Sequence, residues 1–201
     1  MKSAKGGAYE REICKLLSKW WTDGVRDDVF WRSASSGGRA TRRTAKGKDT
    51  YGQYGDIQAV DPIGLPLTQL CTIEVKRGYS DCSVADLFDS PLSRKQTKWE
   101  GFVIQAFTSH KGQETPYWVL IHRRDKQQAM IYIPRRLARA LDLQLYELCP
   151  YAVMRLGVKE DGGLRTPMTI VALQLEHFCQ SISPKTIIRL YHTHVALSQS
   201  S

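Results

Sequence analysis

The stretch Cys71-Thr-Ile-Glu-Val-Lys-Arg-Gly78 constrains this chain more than any other. In a strand, successive side chains point to opposite faces. Cys71, Ile73 and Val75 therefore share one face, and Thr72, Glu74 and Lys76 share the other. Upstream, Gly55-Asp56-Ile-Gln-Ala-Val60 reads as a neighbouring strand with Asp56 at its start, joined to the first by the turn-rich Asp61-Pro-Ile-Gly-Leu-Pro66. Two carboxylates and a lysine then fall in one small volume.

Around this pair the chain has 201 residues, enough for one domain with a sizeable core. Its N-terminus is polar, and no apolar run approaches the ~20 residues a bilayer requires. A soluble, intracellular (cytoplasmic) protein with no membrane partner is the expectation. Five cysteines (Cys14, Cys71, Cys82, Cys149 and Cys179) are scattered without a Cys-x-x-Cys, which points to buried thiols rather than zinc, iron–sulfur or disulfide chemistry. The net charge of +9 calls for a polyanionic partner. Arg39, Arg42, Arg43, Lys46 and Lys48 crowd a segment rich in Gly, Ser and Thr that contains no acid. This suits a basic loop tracking phosphates, with a plain solvated loop as an equal alternative.

In chain order, Tyr9, Ile13, Leu16, Leu17 and Trp20 predict a first helix after Gly6-Gly7, with Glu10, Arg11 and Glu12 in its early turns. Acids there suit the helix dipole; the functional alternative turns Glu10 toward the sheet. Val29–Arg32 reads as a short strand leading into Ser33-Ala-Ser-Ser-Gly-Gly-Arg39, where small residues let backbone approach a phosphate. After Gly78 come a short helix near 84–88 and a longer one over 93–107 that carries Lys95, Gln96 and Lys98 at its start. Runs 117–121 and 129–133 predict a hairpin, and a basic helix follows over 135–141. Strands at 151–156 and 168–173 and a helix at about 184–197 form a tail. Residues 1–148 are expected to be the core and 149–201 an extension packed on it.

Carboxylates are the ligands hard divalent ions prefer, and Mg²⁺ needs only one or two of them beside its waters. An ion at Asp56 and Glu74 would polarise a phosphate and activate water, with Lys76 positioning that water. A lone Glu-x-Lys is more often a surface salt pair; the order helix Glu, strand Asp, strand Glu-x-Lys changes that balance.

That order, as Glu10, Gly55-Asp56 and Glu74-Val75-Lys76, resembles the PD-(D/E)xK nuclease superfamily. Lys5-Gly-Gly-Ala-Tyr-Glu-Arg-Glu12 and Arg32-Ser-Ala-Ser-Ser36 are most similar to its archaeal Holliday-junction resolvase branch. The resemblance spans roughly 5–134. It implies an α/β (α+β) restriction-endonuclease-like core with a mixed central sheet flanked by helices, and Mg²⁺ dependence with Mn²⁺ able to substitute. The implied metal contacts are Asp56, Glu74, Glu10 and the backbone carbonyl of Val75. Lys76 falls at the water-activating position, Arg11 and Arg32 at arginines that face DNA phosphate or support the site, and Ser33, Ser35 and Ser36 are the candidates for the family's serine contacts to DNA. DNA, duplex or branched, is the implied partner, and a homodimer the implied assembly. Gly55 stands where a proline is common in the superfamily, and the basic loop is long.

Overall fold

A computed structural model describes residues 2–33, 55–80, 82–89, 96–147, 150–159 and 165–199. Helix α1 (Lys2–Trp21) opens the chain and starts ahead of Gly6-Gly7. Tyr9, Ile13 and Leu17, four residues apart, are buried along one side of it together with Cys14 and Trp21. The helix stops where Asp23 and Gly24 turn left-handed (φ 53° and 85°) and the Gly24 N–H closes on the Lys19 carbonyl. Buried Ser18 donates to the Cys14 carbonyl and accepts from the Phe30 N–H, which fixes the next element against α1.

That element is β1 (Phe30–Arg32), antiparallel to β2 (Ile57–Ala59) in a two-stranded sheet. The turn-rich linker after β2 is more ordered than its composition suggests: Asp61 caps a single 3₁₀ turn (Pro62–Gly64), and α2 (Leu65–Leu70) follows it directly. Then comes β3 (Cys71–Arg77), at the bounds its alternation predicts, followed by a single turn, α3 (Asp86–Asp89).

Helix α4 (Lys98–Gln113) begins five residues later than expected. A capping box sets its start: Thr97 Oγ1 accepts from the Glu100 N–H, and the Glu100 carboxylate accepts from the Thr97 N–H. From α4 the chain enters β4 (Tyr117–Arg123), which lies parallel to β3, and a hairpin leads to β5 (Met130–Pro134). Helix α5 (Arg135–Ala140), strands β6 (Tyr151–Lys159) and β7 (Arg165–Gln174), and helices α6 (Leu175–Ser181) and α7 (Pro184–Gln199) complete it.

The five-stranded mixed sheet has the order β3-β4-β5-β7-β6. Helices flank it on both faces, as in the restriction-endonuclease-like fold. Residues beyond 149 thus supply two of its five strands, with β7 hydrogen-bonded directly to β5. One core joins α1, α2 and the later helices to Ile73, Val75, Val119, Ile121, Ile133, Val171 and Leu173. The other packs Trp99, Phe102, Val103 and Ala106 of α4 on Trp118, Leu120, Tyr132 and Ile170. Among the described residues, no helix is long and apolar enough to cross a membrane. Cys14, Cys71, Cys82 and Cys179 are free thiols, and Cys149 lies outside the described residues.

Candidate active site

Strand β3 is one edge of the large sheet, and the segment before β2 lies along that edge. The Asp56 N–H donates to the Ile73 carbonyl at 2.8 Å, and the Asp56 carboxylate Oδ2 accepts from the Val75 N–H at 2.8 Å. A strand residue's N–H and C=O point to the same edge, so the Val75 carbonyl also faces the Asp56 side. Gly55 makes this contact feasible. It has φ 77°, and a Cβ there would lie 3.0 Å from both the Ile73 carbonyl oxygen and Thr72 Cγ2. A proline could not take that φ. Buried Ser33 holds the same segment from the other side: its hydroxyl donates to the Gly55 carbonyl at 2.8 Å and its N–H to the Asp56 carbonyl at 2.9 Å.

Glu74 and Lys76 lie on the α4 side of β3. Lys76 Nζ is 3.1 Å from Glu74 Oε2 and 3.7 Å from Asp56 Oδ2. Their side chains are 16%, 3% and 14% exposed respectively, so two carboxylates and one ammonium share a nearly dry space. Burial first, and the neighbouring Glu74 charge second, push the Asp56 carboxyl up to about 7, against the pull of Lys76 and the Val75 N–H. Burial alone would lower the Lys76 ammonium, but Asp56 and Glu74 together raise it above its ordinary value. Without a bound metal ion Lys76 is therefore a charged ammonium that donates a hydrogen bond to Glu74, not a free base. Beside it in register on β4 is His122, buried and lowered by that burial, a neutral imidazole that adds no competing charge.

Helix α4 supplies contacts that sequence reasoning missed. Gln105 Nε2 donates to Glu74 Oε2 at 3.0 Å, and Ser109 Oγ donates to Glu74 Oε1 at 2.9 Å. A helical spacing of four was the available signal, but a helix expected to end at 107 leaves Ser109 outside it.

Glu10 accepts from Arg32 Nε at 2.9 Å. Gly7 allows that pairing, since a Cβ there would come within 3.1–3.3 Å of the Arg32 guanidinium. Among the described residues, no group of three His, Cys, Asp or Glu stands ready to hold a metal ion. The carboxylates brought together are Asp56 and Glu74, and Glu10 is held by Arg32. Arg11 is exposed on α1 and Gln96 is exposed ahead of α4. Ser35, Arg39, Arg42, Arg43, Lys46, Lys48 and Lys95 lie outside the described residues.

The donor chemistry suits a hard divalent cation. Two carboxylates with one lysine leave net negative charge in a buried place, and two carboxylates with waters satisfy Mg²⁺. A mixed sheet flanked by helices, with Asp, Glu and Lys at one edge, defines a restriction-endonuclease-like protein of the PD-(D/E)xK type. Residues 1–189 match the family model described as "Phage putative PDDEXK endonuclease", and the chain belongs to that family. No curated protein and no solved structure matches the chain.

Proposed function

We propose that this protein is a metal-dependent DNA endonuclease that hydrolyses phosphodiester bonds in the cytoplasm. The observation that carries the reading is the convergence of the Asp56 and Glu74 carboxylates on Lys76 at the edge of β3. Asp56, Glu74 and the Val75 carbonyl would hold Mg²⁺, or Mn²⁺ in its place. When bound, the ion supplies Lewis-acid polarisation of the phosphate and a water of lowered pKa. Gln105 and Ser109 orient Glu74, and the Val75 N–H orients Asp56. Lys76 holds the attacking water by donation and neutralises charge building on the phosphate. Glu10 serves as a third acidic contact when Arg32 turns from it to a DNA phosphate. Arg11, Gln96, Lys95 and the bases Arg39, Arg42, Arg43, Lys46 and Lys48 track the backbone, with Ser35 among them and Ser33 bracing Asp56.

Selectivity for Holliday junctions or other branched DNA is supported by the likeness of Lys5–Glu12 and Arg32–Ser36 to the resolvase branch, as is a homodimer making paired cuts. Membership of a phage endonuclease family keeps a nuclease of continuous duplex as the second reading. A cleavage panel of junction, flap, single-stranded and linear duplex DNA in Mg²⁺ tests both. Expected are cleavage that chelator stops, its loss in Asp56→Asn and Lys76→Ala, and retained DNA binding in both variants. Salt-sensitive binding with no cleavage of any substrate in Mg²⁺ or Mn²⁺ would leave only a binding protein.

A further inference from the structure

One strained surface feature beside the site has no part in the chemistry above. Past the end of β3 the chain runs through Gly78 (φ 84°) and Tyr79 (φ 59°), two successive left-handed residues. Glycine takes that conformation freely, whereas a bulky tyrosine is strained in it. Burial does not repay the strain, because Tyr79 remains 41% exposed. Its ring rests on Phe102 of α4, with centroids 5.1 Å apart, and Lys98 Nζ lies 5.1 Å from its centroid. Phe102 belongs to the α4-side core, so Tyr79 stands on the same side of the sheet as Glu74 and Lys76.

We propose that Tyr79 is a stacking platform for an unpaired nucleobase next to the scissile phosphate. An aromatic ring gains by stacking only on a base with an open face, and inside continuous duplex both faces are covered. The platform therefore selects single-stranded, flap or branch-point DNA. Lys98 lies over the ring where the base would sit, and its flexible stem lets the ammonium pass to an adjoining phosphate. This inference rests on the nuclease reading and narrows its substrate.

The experiment compares the full chain with Tyr79→Ala, Tyr79→Leu, Tyr79→Phe and Tyr79→Gly on a labelled flap, a four-way junction and a continuous duplex of the same sequence. Leucine covers Phe102 as tyrosine does but cannot stack. Ala and Leu should each raise KM on flap and junction about tenfold, the size of one lost base–aromatic stack. Their effect on kcat should be smaller, their effect on continuous duplex weaker, and Tyr79→Phe should recover most of the loss. Tyr79→Gly should lose affinity as Ala does while its melting temperature holds or rises, since glycine relieves the strain. A Leu variant that cuts flap and junction like the wild type overturns the stacking platform alone. So does a loss equal on all three substrates, or wild-type cleavage confined to continuous duplex. A wild-type protein that cuts none of the DNAs overturns the nuclease reading and this inference with it.

Discussion

The two faces of β3 are buried to nearly the same depth and built from opposite materials. Ile73 and Val75, 2% and 5% exposed, belong to the apolar core on the α1 side, while Thr72 and Glu74, 1% and 3% exposed, meet polar partners from α4. Thr72 Oγ1 donates to Gln113 Oε1 at 2.9 Å and lies 2.7 Å from Thr115 Oγ1; Glu74 takes Gln105, Ser109 and Lys76. Depth alone therefore does not make a face apolar. A buried polar face survives when each group on it has a partner, and it then responds to the loss of partners where the apolar face responds to volume and charge.

The strongest way to break that contrast is to put an acid on the wrong face. Ile73→Asp buries an unpaired carboxylate against α1, and a cost on the order of 4 kcal/mol or more should leave the protein unfolded or aggregated by circular dichroism. Glu74→Gln, by comparison, should keep the fold, because the amide still accepts from the α4 donors and Asp56 remains beside Lys76, and should abolish cleavage.

Removing the partners instead of the charge gives the next effect. Ser109→Ala and Gln105→Leu should each lower the cleavage rate roughly 10- to 100-fold, the range for groups that orient a metal ligand. Melting temperature should also fall by a few degrees in each variant, because buried Glu74 loses a donor. If neither alters the rate, α4 packs beside Glu74 without orienting it.

A smaller effect is expected in pH. The Asp56 carboxyl is raised from 3.8 to about 7 in the folded protein, so between those values the folded state holds the extra proton. Metal-free protein should accordingly lose stability as pH rises from about 4 to about 7, and lose no more from this group beyond it. Lys76 is raised and stays protonated throughout that window. Melting at pH 5 and pH 8 should show the drop in the wild type, a flatter response in Asp56→Asn, and recovery on adding Mg²⁺ at pH 8. The smallest effect is Thr97→Ala, which breaks the capping box of α4 for about 1 kcal/mol and should shift the melting temperature by about 2–4 °C.

Alternation made β3 legible to the residue, and it also put Glu74 and Lys76 on one side, because a two-residue period has only one register that buries Ile73 and Val75. The hairpin β4–β5 and the apolar stripe of α1 were equally readable. Local pattern could not show that Glu10 meets Arg32, since Gly7 clears that space from another turn of the helix. Gln105 and Ser109 were hidden because a polar residue on a helix reads as solvent-facing until the sheet beneath it is known to be polar. Helix α2 was masked by the prolines at 62 and 66, which read as turn signals although proline also suits a helix's first turn. Nor does the sequence from 149 onward reveal that β7 enters the sheet beside β5, because strand order is a long-range property.

The bond from the Val75 N–H to the Asp56 carboxylate has a consequence in time as well as in space. That amide is tied to a side chain rather than to a neighbouring strand, so its exchange with deuterium follows the departures of one carboxylate and not the opening of the sheet. The edge of β3 thus carries its own clock: when Asp56 swings toward a new partner, Val75 is the first amide to be left uncovered.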